Sequence, residues 1–96
     1  MLIGIHDFIN SQPFLEPLMK RASEIGLEIR TGSPAQLADQ LSGGELDMAM
    51  IPAIEYLKHA DRFRILPNIA IASRGKVGTV LLVSKVPLGT IRSLAL

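Results

Sequence analysis

A mostly polar stretch near the start of the chain separates a short apolar run from a helical pattern. Residues 1–5 (MLIGI) are large and apolar apart from Gly4, which predicts a buried strand. Beyond the polar stretch, apolar residues recur at helical spacing and predict a helix with one buried face: Phe14, Leu15, Leu18, Met19, Ala22 and Ile25. Residues 6–12 (HDFINSQ) therefore join the carboxyl end of a strand to the amino end of a helix. Small ligands bind at this position in open α/β sheets.

Two interpretations of this stretch stay open. It forms the wall of a ligand site, or it is a plain connection in which Ser11 caps the helix and Pro13 lies in the first helical turn. Connections without a site are the more common kind, so position alone favours the second interpretation.

The alternation of strand and helix continues along the chain. Residues 27–31 (LEIRT) follow Gly26 and alternate apolar with polar side chains, which predicts a second strand. Residues 47–51 (DMAMI) are mostly apolar, as buried parallel strands are, and Pro52 after them predicts the start of a short helix. The order strand, helix, strand, helix, strand predicts a βαβαβ unit with a parallel sheet, an α/β fold.

The second of these helices has clear signals at both ends. Ser33 has the position of an N-cap, Pro34 that of the first helical residue, and Gln36 that of the partner in a capping box. Residues 43–44 (GG) predict the helix end.

The pattern changes in the last third of the chain. Residues 69–72 (IAIA) and 79–83 (TVLLV) predict two strands, separated by a turn at residues 73–76 (SRGK). Because they are so close in sequence, we expect them to be antiparallel edge strands. Residues 91–96 (IRSLAL) end the chain on an apolar segment, which predicts a strand that continues beyond Leu96.

Composition narrows the classes of function. The chain has 96 residues, of which 48% are hydrophobic, and this suits one small domain. Ten basic and nine acidic residues give a net charge of +1, which argues against a nucleic-acid or membrane surface and favours a small-molecule partner. There is no cysteine and the two histidines lack ligand spacing, so we expect no metal. No export signal or apolar span is present, which predicts a cytoplasmic protein.

Four segments, in order along the chain, together resemble the amino-terminal lobe of chorismate dehydratase, the menaquinone biosynthesis enzyme of the futalosine route. They are residues 8–14 (FINSQPF), 44–57 (GELDMAMIPAIEYL), 64–67 (RILP) and 77–84 (VGTVLLVS). Each segment alone is a weak signal, and the pattern G-x-L-D-x-A-x-x-P occurs across solute-binding proteins. The resemblance extends through essentially all 96 residues.

The resemblance implies a periplasmic-binding-protein type II fold, in which two α/β lobes close on a ligand. Residues 1–96 would form a single amino-terminal lobe, with the second lobe outside this chain. The implied reaction removes water from chorismate to give 3-[(1-carboxyvinyl)oxy]benzoate, and it requires no metal or organic cofactor.

The resemblance also implies site residues. Asn10 matches the asparagine of a Tyr-Leu-Asn-x-x-Pro-like motif, in which Phe8 replaces the usual tyrosine, and Thr79 occupies the place of a serine in a Gly-Ser-Val motif. We assign catalytic roles to Asn10 and Thr79. We assign substrate binding to Ser11, to Gly78 through its backbone, and to Ser33 at a helix N-terminus, because chorismate is a dianion that needs fixed donors.

The general base is not identified by these motifs. His6 and Glu55 are more typical of a packed or capping residue and of a solvated helix residue, so the base comes from the second lobe or from a substrate carboxylate. Three hypotheses follow. The chain is part of a dehydratase, a lobe that binds an anion without chemistry, or a lobe that persists as a homodimer by exchanging its end strand with a copy of itself.

Overall fold

The fold is a three-stranded parallel sheet with helices in the connections, in a computed structural model that describes residues 1–78 and 83–93. The strands are β1 (Leu2–Ile5), β2 (Glu28–Thr31) and β3 (Met48–Ala49), and the helices are α1 (Gln12–Arg21), α2 (Pro34–Ser42) and α3 (Ala53–Lys58). Short 3₁₀ turns cover Ile9–Ser11 and Leu88–Thr90. The predicted α/β class and the βαβαβ order are confirmed.

Strand β1 lies in the middle of the sheet, whose order is β2-β1-β3. Ile3 is opposite Ile29 on one side and Met48 on the other, both in parallel register. Backbone bonds from Asp47 N to Leu2 O (3.0 Å) and from Met50 N to Gly4 O (2.9 Å) extend the pairing beyond the two residues of β3. The third strand is therefore shorter than the five residues predicted, although its neighbours still bond to β1.

The core lies where α2 packs on the sheet. A Cβ atom on Gly4 would meet Leu46 Cδ1 at 2.6 Å and Leu37 Cδ2 at 2.8 Å. Leu37 is fully buried and Leu46 nearly so. Glycine at the middle of β1 therefore lets two leucines approach the sheet more closely than any side chain would permit.

Helix α2 begins and ends as its sequence predicts. Ser33 Oγ accepts a hydrogen bond from Gln36 N (3.3 Å), and Gln36 Oε1 accepts one from Ser33 N (3.0 Å), which completes the capping box. At the other end, Gly44 has a φ of 77° and Glu45 N bonds to Gln40 O at 2.9 Å, a glycine-terminated Schellman closure.

Helix α1 is shorter than its apolar pattern predicts. It ends at Arg21, and the chain then forms turns up to Gly26, whose φ is 66° and after which Leu27 N bonds to Ala22 O at 2.8 Å. Pro17 lies inside α1, where it removes one backbone donor and weakens the helix. After these turns, Leu27 leads directly into β2.

The prediction of a strand at residues 69–72 is wrong. These residues are exposed and belong to no strand, and Ile69 has 56% of its surface accessible. A β-rich composition gives a strand only when a neighbouring strand accepts its hydrogen bonds, and the described residues offer none there. Of the predicted strand at 79–83, residues 79–82 lie outside the described residues. Of the predicted end strand at 91–96, residues 94–96 lie outside them, and 91–93 are not in a strand.

The chain exposes more surface than a compact domain of its size. The accessible surface is 7964 Å², whereas a compact monomer of 10.4 kDa exposes about 5400 Å². The radius of gyration is 16.4 Å, against about 12.5 Å for a compact domain of this length. Within the described residues, no helix is both long and apolar enough to cross a bilayer.

We predict that Gly4→Ala destabilises the fold by about 1 to 3 kcal/mol, because the added methyl group overpacks the buried leucines. Urea unfolding followed by circular dichroism measures the change. Gly89→Ala is the matched control, since no described atom lies within 4 Å of its added Cβ, and it should change stability by less than about 0.5 kcal/mol. Equal stability of the two variants would show that close packing at Gly4 is not a constraint.

Candidate functional site

The carboxyl ends of β1 and β3 point to one edge of the sheet. The chain leaves β1 towards β2 on one side and later crosses to β3 on the other, so the connections diverge between β1 and β3. In open parallel sheets, ligands bind in the crevice at such a divergence. Residues 6–11 follow β1 here, and residues 50–52 follow β3.

A histidine–serine pair shapes the connection after β1. Ser11 Oγ lies 2.6 Å from His6 Nδ1, and Ser11 has none of its surface exposed. Ser11 occupies the N-cap position of α1, yet within the described chain its side chain makes no capping bond. The expected side-chain cap is therefore wrong, because the hydroxyl bonds to a ring nitrogen of His6 instead.

Two further contacts hold the same connection in place. The rings of His6 and Phe8 lie 4.7 Å apart, centroid to centroid, at an angle of 40°. Gln12 Nε2 donates a hydrogen bond of 2.7 Å to Asp7 Oδ1, joining the loop to the first turn of α1. These contacts, with the buried serine, restrain the backbone that carries Asn10.

A cavity of about 1050 Å³ runs along the sheet and reaches this edge. Its walls come from β1, from the loop after it, from α1, from β3 with the residues that follow, and from the exposed segment 63–71. Most lining side chains are apolar, among them Ile3, Ile5, Phe14, Met48 and Met50. Large apolar cavities with a few polar groups are the usual form of small-molecule sites.

Among the described residues, the polar members of the cavity wall are few: His6, Asn10, Asp47, Tyr56 and Arg64. Asp47 already accepts a hydrogen bond from Leu2 N at 2.7 Å, near the amino ends of the strands. Arg64 Nη1 donates to the neighbouring Phe63 O at 3.3 Å, and the side chain is otherwise exposed. The described part of the wall therefore carries one guanidinium group and one carboxylate, and that carboxylate is bonded to the backbone of β1.

The residues predicted to form the site are not gathered at one place. Asn10 is exposed on the first 3₁₀ turn and lines the cavity. Ser11 is buried behind it. Ser33 is exposed at the start of α2, where its side chain caps the helix, and Gly78 is also exposed; neither is among the cavity-lining residues of the described chain. Thr79 lies outside the described residues, so its catalytic role stays a prediction.

Apart from Asp47, which bonds to the backbone of Leu2, sequence reasoning missed three polar residues of the described cavity wall. The sequence predicts a packed or capping role for His6 and no site role for Tyr56 or Arg64. A signal for the last two existed, because Tyr56 lies within the segment 44–57 and Arg64 begins the segment 64–67, and the resemblance depends on both segments. Among residues 1–78 and 83–93, no three His, Asp or Glu side chains lie close enough together to hold a metal ion.

Comparison with known proteins finds a family match over the whole chain. A family model described as menaquinone biosynthesis matches residues 1–96. No solved structure matches the chain.

We predict that Ser33→Ala lowers stability by about 1 kcal/mol, because the Gln36 backbone N–H at the start of α2 loses the Ser33 Oγ that accepts its hydrogen bond. Thermal or urea unfolding measures the loss. Ser23→Ala is the matched control, since Ser23 is exposed in the turns after α1. Unchanged stability of Ser33→Ala together with a loss of ligand affinity would instead make Ser33 a ligand contact.

Proposed function

Because the chain belongs to the menaquinone biosynthesis family, we propose that it is part of a lyase that converts chorismate into 3-[(1-carboxyvinyl)oxy]benzoate and one molecule of water. The four motifs of the sequence support this choice within the family. In the same proposal, residues 1–96 are the amino-terminal lobe of a periplasmic-binding-protein type II fold. The three-stranded parallel sheet is compatible with such a lobe.

The observation that supports a site at this edge most strongly is the place of Asn10. It follows the central strand, it lines the cavity, and the contacts of its neighbours restrain the turn on which it stands. Its side-chain amide can donate two hydrogen bonds to a carboxylate. A restrained amide donor beside an apolar wall suits a ligand with an apolar ring and carboxylate groups, as chorismate is.

Arg64 adds the charge that an anionic ligand requires. Its side chain lines the same cavity and makes no ion pair within the described residues. Guanidinium groups bind carboxylates through two parallel hydrogen bonds. In the proposal, Arg64 and Asn10 bind the substrate's carboxylates, and the apolar wall packs against its ring.

The chemistry requires loss of a ring proton and of a hydroxyl group. Negative charge develops as the proton leaves, and fixed donors such as Asn10 stabilise it. The described wall offers Asp47 as its carboxylate, and that group bonds to the backbone of Leu2. We therefore propose that the proton acceptor is a substrate carboxylate or a group of the second lobe.

Closure by a second lobe completes the proposal. A cavity open to water weakens each hydrogen bond to an anion, and closing it strengthens those bonds. The excess of exposed surface over that of a compact monomer supports an additional covering element. Thr79 and the Gly78 backbone are proposed to line the closed site, with Ser11 supporting it from behind and Ser33 contributing its helix N-terminus.

A lobe that binds an anion without chemistry is the second candidate, and it is favoured because the carboxylate of the described wall, Asp47, is already bonded to the backbone of Leu2. The two candidates differ in one measurement, the formation of the enolpyruvyl-benzoate product from chorismate. Product formation by the complete protein supports the lyase. Binding of chorismate without product supports the second candidate.

We predict that Asn10→Asp weakens chorismate binding by roughly tenfold or more, because a donor to a carboxylate is replaced by a like charge. Isothermal titration with chorismate measures the dissociation constant. Asn68→Asp is the matched control: Asn68 is exposed, has a φ of 65° that aspartate tolerates, and is not among the cavity-lining residues of the described chain.

The control should bind chorismate with unchanged affinity and give unchanged product. If Asn10→Asp binds as tightly as the unaltered protein, Asn10 does not contact the substrate and the proposed site is wrong.

A further inference from the structure

The hydroxyl of Ser11 has one hydrogen-bond partner within the described residues, and that partner is His6 Nδ1 at 2.6 Å. Ser11 is completely buried, so water does not reach the hydroxyl. His6 is half-buried, and its ring lines the cavity. The pair thus connects a sealed interior position to the cavity wall.

The direction of this hydrogen bond follows from proton counting. In a neutral imidazole one ring nitrogen carries a proton and the other accepts. If Nδ1 carried the proton and donated to Ser11 Oγ, the serine proton would have no acceptor in a buried place, which is costly. If Ser11 donates to Nδ1, both groups are satisfied. The second arrangement places the ring proton on Nε2.

We infer that Ser11 is a positioning residue that holds His6 with its proton on Nε2, so that the ring offers a neutral N–H donor to a carboxylate oxygen of a ligand in the cavity. Nε2 makes no hydrogen bond to the described part of the chain, and so it is available to a ligand. The contact with Phe8 restrains the ring in the same orientation. That the ligand is chorismate depends on the proposed function; the direction of the Ser11–His6 bond does not.

Two other roles for the pair are less compatible with the geometry. Ser11 as a nucleophile would have to reach the ligand, yet it is fully buried and is not among the cavity-lining residues of the described chain. Neutral His6 as a general base would need a free acceptor nitrogen at the cavity, whereas Nδ1 lies against Ser11 Oγ and the inferred arrangement places the proton on Nε2. The pair therefore binds and orients rather than attacks.

Long-range ¹H–¹⁵N spectra of the imidazole nitrogens test the bond direction directly, at about pH 8 where an imidazole is neutral. We expect His6 to show a protonated Nε2 and a hydrogen-bonded Nδ1. Ser11→Ala should shift the Nδ1 signal towards that of a free acceptor nitrogen, and Ser23→Ala should leave it in place. The second histidine, His59, is the internal reference in every spectrum. A proton on Nδ1 of His6, or no change in Ser11→Ala, overturns the inference.

A titration with chorismate, repeated with benzoate, tests the ligand contact. The His6 Nε2–H signal should move with either anion, while the His59 signals stay in place. Ser11→Ala should raise the dissociation constant roughly two- to tenfold, as expected from a lost neutral hydrogen bond. His6→Phe removes the proposed donor and should also raise the dissociation constant. The matched control, His59→Phe, should leave the dissociation constant unchanged.

The outcomes separate this inference from the proposed function. If chorismate moves the Asn10 side-chain amide but not His6, the inference is wrong and the proposed site stands. If benzoate moves His6 but the complete protein forms no product from chorismate, the inference stands and the lyase proposal is wrong. His6→Phe leaves the buried Ser11 hydroxyl without a partner, which can unfold the chain. In that case the titration is done with the double variant Ser11→Ala with His6→Phe, which removes both polar groups.

Discussion

The close approach of two leucines to Gly4 determines where the rest of the structure lies. Leu37 comes from α2 and Leu46 from the segment before β3. Both would clash with a Cβ atom at position 4 in β1. Their packing fixes α2 over the central strand and sets β3 beside it. Once β1 lies between β2 and β3, the chain that leaves it enters the crevice where the connections diverge.

In this arrangement, one of the residues after β1 is buried beneath the loop, and its neighbour lines the cavity. Ser11 is buried, and its hydroxyl is hydrogen-bonded to His6. Asn10, one residue earlier, is exposed and lines the cavity. A buried hydrogen bond behind an exposed amide restrains the amide without competing for its donors. The same 3₁₀ turn thus carries both a residue proposed to bind the substrate and one proposed to orient a neighbour.

Local signals predicted most of the regular structure. The capping box of Ser33 and Gln36 and the left-handed glycine Gly44 act through neighbouring backbone groups, so their spacing alone is informative. The strand expected at residues 69–72 depends on a partner strand, which local composition does not reveal, and it is not formed. The periplasmic-binding-protein type II fold stays a proposal, because it requires a second lobe that residues 1–96 do not include.

The site was harder to predict than the fold. Asn10 could be singled out from its motif, and the structure places it on the cavity wall. The bond between Ser11 and His6 requires the chain to turn back over five residues, and Arg64 reaches the cavity from a segment without regular structure. Neither placement follows from helical or strand spacing, so only the folded chain shows them.

The most direct test of a substrate site at the carboxyl end of β1 is a crystal structure of the complete protein with chorismate bound. We expect a substrate carboxylate within hydrogen-bond distance of the Asn10 side-chain amide, with the ring against the apolar wall. Chorismate bound elsewhere, with Asn10 facing only solvent, would contradict the assignment.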